Sequence, residues 1–345
     1  MSLPTLEDVA RAVGVSRTTV SNAYNRPDQL SGELRSRIFA AAAELGYPGP
    51  DPVARGLRRG RTGVVGLAYD EPLSYMVTDP AAVMFMTGLA GVFDDAGISL
   101  ALLPTLRADE VGGSVLAKAA VDGLISFCEA TDDDRVAAFA ARRLPFVIVD
   151  GANERAPCRV GIDDRGGTRA ATRHLIELGH HRLAVAAFPR RQWADGALTE
   201  RGLLRPARLA GIRDAVEEAG LDWDTIVVED AGHEGTRREA GRRVGGRLLD
   251  RASRPTAVVA MSDELAAGVI DAADERGVAV PGDLSVVGFD DTQTASSTRP
   301  ALTTVRQPLV EKGATAARLL LDGAPETEVE LPVELVVRAS TGPVG

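Results

Sequence analysis

The periodicity of apolar residues changes at Thr62, and this change restricts the fold more than any other feature of the 345-residue chain. Before it, apolar residues recur every three or four positions, as helices require; after it, short apolar runs alternate with helical stretches, the pattern of a parallel α/β sheet. GVVGLAY (63–69), ISLALLP (98–104), VDGLISF (121–127) and PFVIVD (145–150) read as strands, with helices expected over 81–97, 109–120 and 132–143. A second series follows: strands over 182–188, 225–230, 257–261 and 285–291, and helices over 164–179, 205–220, 236–252 and 263–277. TTVRQP (303–308), a helix over 309–322 and one closing strand, ELPVELVVR, complete the chain. Two doubly wound halves of similar size imply a cleft at the carboxyl ends of their strands, where open α/β sheets bind ligands.

Residues 5–25, TLEDVARAVGVSRTTVSNAYN, spell two short helices joined by a turn. Leu6, Val9, Ala10 and Val13 share one face, Thr5 is placed to cap the first N–H groups, and Glu7 and Asp8 suit the positive end of the dipole. Gly14 supplies the positive φ that ends the first helix, and Ser16 caps a second whose Val20, Ala23 and Tyr24 return to the same core. Arg17, Thr18, Ser21 and Asn22 are left outward, where an arginine donates twice to guanine and an asparagine pairs with adenine in a major groove. An αα-hairpin of an ordinary helical domain is the bland alternative. Ser31 opens a third helix, with Leu34, Ile38, Ala41, Ala42 and Leu45 inward and Gly46 as its stop.

Pro48, Gly49, Pro50 and Pro52 then break the chain, and residues 53–58, VARGLR, have helical spacing over barely two turns with a glycine inside. Such a helix forms only when something packs on it, here its copy in a second subunit and a DNA groove; a plain linker is the alternative. The net charge of −10 is unevenly spread. Residues 1–63 hold nine arginines against six carboxylates, a charge of +3, which leaves −13 on the remainder. A basic unit on an acidic body keeps phosphate affinity local.

Taken together, the chain resembles the lactose-repressor and galactose-repressor family of bacterial transcription regulators. The resemblance rests on TLEDVARAVGVSRTTVS with Asn25 following, on LGYPGPDPVARGLRRGRTGVVGL, VDGLI, ELGHHRLA, RLAGI, PTAVVAMSDELAAGV, VPGDLSVVGFDD and RPALTTVRQP, in that order. It implies a helix-turn-helix headpiece (1–47), a linker and hinge helix (48–61), and an effector-binding and dimerisation domain (62–345) of the periplasmic-binding-protein type I fold. That body would be two doubly wound parallel α/β subdomains, one of 62–163 plus 293–322 and the other of 164–292 plus 323–345, with three crossings. The family's base-reading positions fall on Arg17, Thr18 and Asn22 and its minor-groove leucine on Leu57, with Arg55, Arg58 and Arg59 expected along phosphates and Thr5, Ser16, Thr19, Ser21 and Asn25 as further candidate DNA contacts. Leu57 is the apolar wedge that opens a central base step. Its ligand positions fall on Asp150, Arg208, Ser262 with the neighbouring Asp263, Asp290 and Gln307, and Tyr69 and Asp70 of the idiosyncratic stretch 69–79 join them as local specificity elements or loop packing.

Carboxylates accept from hydroxyls and an arginine fork clamps a pair of oxygens, so the expected effector is small and polar, by default a sugar. An ion pair between Arg208 and Asp290 and a strand-end cap at Asp150 are the structural alternatives. The segments 69–79 and 189–204 are idiosyncratic, which makes Tyr75 and Trp193 specificity elements or loop packing. The resemblance implies a ligand-responsive repressor that binds a palindromic double-stranded operator as a homodimer. The chain stops at VVRASTGPVG, which favours a dimer over a tetramer.

No cofactor or metal is expected, and no membrane partner. Neither a long apolar run nor a basic-then-apolar leader is present, so a cytoplasmic location is expected. Cys128 and Cys158 have no CxxC spacing and read as reduced. GxSxG, P-loop, HExxH and GxGxxG patterns are absent, and His233-Glu234 lacks a second histidine, so no enzyme is expected. The competing readings are a cytoplasmic small-molecule-binding or carbohydrate-processing α/β protein, with Asp150 and Asp290 as a carboxylate pair, whose headpiece serves another partner, and a solute-binding transport module.

Overall fold

The computed structural model describes residues 4–50, 60–69, 73–104, 118–127, 141–151, 158–189, 191–192, 198–199, 204–232 and 235–345. They fall into two compact units, Met1–Gly63 and Val64–Gly345. The expected helices at 109–120 and 132–143 lie outside the described residues except at their edges, and so do the hinge segment 53–58, Asp70, Cys128 and Trp193.

The first unit has three helices, α1 (Leu6–Val13), α2 (Arg17–Asn25) and α3 (Gly32–Leu45). Val9, Ala10, Val20, Ala23, Ile38 and Ala42 are its buried core, flanked by Leu6, Val13, Val15, Tyr24 and Leu34. Thr5 and Asp8 make a reciprocal capping box: the Thr5 N–H donates to Asp8 Oδ2 at 2.9 Å and the Asp8 N–H donates to Thr5 Oγ1 at 3.4 Å. Gly14, at φ 76°, turns the chain out of α1, and Ser16 Oγ then accepts from the Thr19 N–H at 3.1 Å to start α2. Leu45 departs from expectation: it sits on the helical stripe but is 40% exposed, because the core ends one turn earlier at Ala42.

The second unit holds two sheets. The elements of its first half are β1 (Val64–Tyr69), α4 (Leu73–Met76), α5 (Pro80–Ala96), β2 (Ser99–Pro104), β3 (Gly123–Phe127), β4 (Phe146–Val149) and β5 (Cys158–Ile162). Next come α6 (Asp164–Glu177), β6 (Leu183–Ala187), a two-stranded excursion of β7 (Arg191–Gln192) and β8 (Leu198–Thr199), α7 (Leu204–Glu218), β9 (Val227–Asp230) and α8 (Arg238–Leu249). The chain closes with β10 (Ala257–Ala260), α9 (Asp263–Asp274), β11 (Ser285–Asp290), α10 (Gln293–Ser297), β12 (Thr303–Arg306), α11 (Leu309–Asp322), β13 (Thr327–Leu331) and β14 (Glu334–Val336).

One sheet has the order β13-β5-β4-β3-β1-β2 and is parallel throughout; the other, β14-β12-β11-β10-β6-β9, is parallel except at β14. Strands buried on both faces explain the near-continuous apolar runs. Where α5 crosses α11, Gly88 and Gly313 let the backbones touch: a Cβ on Gly88 would lie 1.9 Å from the Val310 carbonyl oxygen, and one on Gly313 2.1 Å from that of Phe85.

The lobe boundaries differ from expectation at two of the three crossings. The first falls between β5 and α6. The second falls at Gln307–Pro308 rather than after Thr292, because β12 pairs in parallel with β11 (Val287 with Thr303, Asp290 with Arg306) and stays in the second lobe. The third falls at Pro332–Val333 rather than after Asp322. The run expected as one closing strand is broken at Pro332, which has no N–H to donate, so β13 completes the first sheet and β14 the second. β5 was not anticipated, because Arg159 and Gly161 interrupt its apolar pattern.

Candidate functional site

On the headpiece the outward residues divide by how their polar atoms are used. Thr5 and Ser16 serve as caps, the latter also sharing a hydroxyl bond of 2.8 Å with Thr19. Asn25 donates to the Ser21 carbonyl at 2.9 Å and the Ser21 hydroxyl at 3.2 Å. Arg17 and Thr18 are exposed at the N-terminal end of α2; Arg17 has only a 3.8 Å contact with the exposed Glu7, worth little in water. Asn22, one turn on, makes a long 3.4 Å contact with Gln29. A helix whose first-turn arginine and second-turn asparagine are so weakly engaged is suited to donate to base edges.

In the body, Asp150 and Gln307 follow directly on β4 and β12 and Asp290 ends β11, and a buried polar chain joins them. Lys312, 0% exposed on α11, donates to Asp150 Oδ1 at 2.8 Å and Oδ2 at 2.7 Å, and also to Gln307 Oε1. Gln307 donates in turn to Asp290 Oδ1 at 2.6 Å. Arg208, 2% exposed on α7, lies 3.8 Å from Asp290, donates to Asp164 Oδ1 at 2.8 Å and to the Met261 carbonyl, and stacks 3.6 Å over the Phe289 ring. The chain therefore runs from the first lobe, through the second crossing at Gln307, into the second lobe, and back to the first crossing at Asp164.

Burial pushes Asp290 well above the usual carboxylate range, with Arg208 opposing; Asp164 is raised for the same reasons in the same order. Asp150 and Asp290 adopt positive φ, 52° and 115°, a conformation that side chains other than glycine rarely take and that is concentrated at functional sites.

Ser262 and Asp263 are engaged within their own lobe. Ser262 caps α9, accepting from the Leu265 N–H at 3.3 Å. Asp263 accepts from the Thr292 N–H at 2.7 Å, the Thr292 hydroxyl at 3.1 Å and the Thr304 hydroxyl, and burial pushes it up to about 7. Tyr69 stands in an aromatic row: its ring stacks 5.3 Å from Phe127 and 6.3 Å from Tyr75, and Phe127 stacks 4.2 Å from Phe85. All four rings are buried in the core of the first lobe. Among the described residues no group of three or more His, Cys, Asp or Glu side chains is arranged to hold a metal ion.

The comparisons with known proteins agree with both halves. The sequence profile described as "Bacterial regulatory proteins, lacI family" matches residues 5–49, and that described as "Periplasmic binding protein-like domain" matches residues 172–341. An HTH-type transcriptional regulator of Mycolicibacterium smegmatis is 41% identical over 98% of this chain and 96% of its own length. The chain belongs to the LacI family. Its fold is also that of solved family structures. The lac repressor dimer bound to operator and the anti-inducer ONPF matches with a TM-score of 0.78 at 28% identity, over 99% of this chain and 100% of that one. The transcriptional regulator CelR in complex with cellobiose matches with a TM-score of 0.70 at 30% identity, over 98% and 99% of the two chains. This LacI-family chain is thus a helix-turn-helix transcriptional regulator, and its relatives are regulators rather than enzymes.

Two members of this buried network were not found by reading the sequence: Lys312 and Asp164. The signal for Lys312 was present, a lysine on the apolar face of a helix beside Leu309, Gly313 and Ala316, where only a paired charge is tolerated. Asp164 reads as an ordinary helix-start acid, and nothing local distinguishes it.

Proposed function

We propose that this LacI-family regulator is a ligand-responsive repressor. It binds a near-palindromic operator as a homodimer in the cytoplasm, reads bases with Arg17, Thr18 and Asn22, and takes a small polar effector, a sugar, between its two lobes. The observation that carries the proposal is the buried chain Asp150–Lys312–Gln307–Asp290–Arg208–Asp164, which passes through two of the three lobe crossings. A ligand that bonds Asp290 or Asp150 perturbs a network that includes Gln307 and Asp164, at two of the crossings, and it shifts lobe closure by its difference in affinity for the two states. The lac repressor structure with operator and the CelR structure with cellobiose support the two ligand classes by analogy.

In the hinge, outside the described residues, Leu57 would enter the minor groove while Arg55, Arg58 and Arg59 lie along phosphates, ordering only on DNA. Among the described residues no helix is long and apolar enough to cross a membrane. Selection from a random DNA pool by the full chain tests the proposal. Recovery of an inverted repeat with half-sites about one helical turn apart is the expected result. Recovery of unrelated sequences contradicts it.

A further inference from the structure

Past β14 the chain makes a strap, residues 339–344, across the starting ends of β11 and β12, the end of the second sheet away from Asp290. Ser340, fully buried, is inserted there. Its carbonyl accepts from the Val286 N–H at 2.9 Å, and its hydroxyl donates to the Val286 carbonyl at 2.6 Å and accepts from the Thr303 N–H at 2.8 Å. The Gly342 N–H donates to the Ser285 hydroxyl at 3.1 Å, and the Val344 N–H to the Leu178 carbonyl at 3.0 Å. Between the third lobe crossing and this strap lies β14, three residues long, which is too short to hold the crossing firmly by itself; the strap completes the anchorage.

Three of the chain's four histidines lie beside the strap: His174 in the last turn of α6, and His180 and His181 just after that helix. His174 Nε2 is 3.0 Å from the Thr341 hydroxyl, and His180 Nε2 is 2.9 Å from the Gly342 carbonyl. A carbonyl only accepts, so Nε2 of His180 carries the hydrogen, and in the neutral ring Nδ1 is a bare acceptor. His180 is 2% exposed, and its Nδ1 is buried without a hydrogen-bond partner. A second proton has to go on that Nδ1, as an N–H with no acceptor in a ring shut away from water. The strap brings no charge to offset it, since residues 339–344 contain no titratable side chain. The titratable groups around the ring are His174 on α6 and His181 beside it; Glu177 acts on His174 and is itself 3.6 Å from Arg173.

We propose that His180 is the clasp of a proton-sensitive strap: neutral, it holds residues 339–344 against the second lobe, and on taking up a proton it releases them and with them the far anchor of the third crossing. Burial pushes His180 below the free-histidine value of 6.5, with the bond to Gly342 opposing and His181 adding to the fall; His174 is lowered by burial as well. Docking that favours the neutral ring is at full strength above 6.5 and weakens as pH falls below it.

Hydrogen exchange of the full chain at about pH 7.5 and about pH 5.5, read by mass spectrometry and corrected for the intrinsic pH dependence of exchange, tests the strap. Protection of a peptide covering 339–345 should fall about tenfold at the lower pH, the change that one histidine with a free value of 6.5 gives over that interval, while a peptide from β10 keeps its protection. His180→Gln, which retains a neutral amide donor for the Gly342 carbonyl, should abolish the fall, and His174→Gln should leave it in place. The comparison is between the two pH values within each variant, so a variant that loosens the strap at both still decides. Equal protection of the parent's strap at the two pH values, or the same fall in His180→Gln as in the parent, overturns the proposal. So does a fall that His174→Gln abolishes and His180→Gln keeps, or an equal fall in the β10 peptide.

Discussion

The headpiece and the cleft present the same kinds of side chain in opposite conditions. On α2, Arg17 and Asn22 stand in or near solvent with only long contacts of 3.8 and 3.4 Å to the rest of the chain. In the cleft, Arg208 and Lys312 are buried and bonded at 2.8 Å or closer. A surface that reads DNA needs donors left unspent, because each base contact is added to a folded unit that is complete without it. A cleft that responds to a ligand needs donors and acceptors already committed to one another, because the ligand acts by changing which commitments hold. The first arrangement gives additive recognition, and the second gives a network in which removing one member disturbs the rest.

The largest effect is expected from breaking the cleft network. Lys312→Met leaves Asp150 as a buried carboxylate without its partner and should cost about 3–5 kcal/mol in urea denaturation, most of it recovered in the double variant Lys312→Met with Asp150→Asn. A single-variant cost near zero would mean that the cleft polar groups are as independent as those of the headpiece.

Asp79, which caps α5 by accepting from the Ala82 N–H at 3.0 Å and is pushed up by burial, sharpens the contrast through pH. Its folded-state value of about 6, against 3.8 for the free side chain, means that the folded state holds its proton more tightly, so stability falls as pH rises from about 4 to about 6 and is level above. Asp79→Asn should therefore stabilise the chain at pH 7.5, by at most about 3 kcal/mol, and leave it little changed at pH 4. Melting temperatures at the two pH values decide the matter.

In the headpiece, Asn22→Ala should cost about 1–3 kcal/mol against the preferred operator and relax one base position, with no change in the stability of the fold. Retention of the parent's base preferences in a DNA selection would remove Asn22 from the reading set. The smallest effect belongs to Thr5→Ala, which removes a cap from α1 and should lower its amide protection in hydrogen exchange by about 1 kcal/mol.

Most of the fold was legible because its signals are local. Thr5, Gly14 and Ser16 fix the turn of the headpiece by capping chemistry, and the apolar runs that became β1, β3, β6 and β10 are buried on both sheet faces. The lobe crossings were less legible because they depend on pairing. Nothing within TTVRQP tells whether it pairs with β11 or opens the first lobe, and the register of Val287 with Thr303 is a tertiary fact. The same holds for the site. Asp150, Arg208 and Asp290 were found at strand ends and in a family motif, but Lys312 acquires its role only when α11 is laid against β4.

The account turns on the coupling of the two surfaces, and operator binding with and without a cleft ligand measures it directly. The operator recovered by DNA selection is titrated with the full chain and with Asp290→Asn, each in the absence and presence of the sugar that stabilises the parent. The parent's operator affinity should change roughly 5- to 150-fold on adding the sugar, as a coupling of about 1–3 kcal/mol requires, while Asp290→Asn binds the operator and does not respond. An operator affinity of the parent that stays the same at saturating sugar would contradict the account.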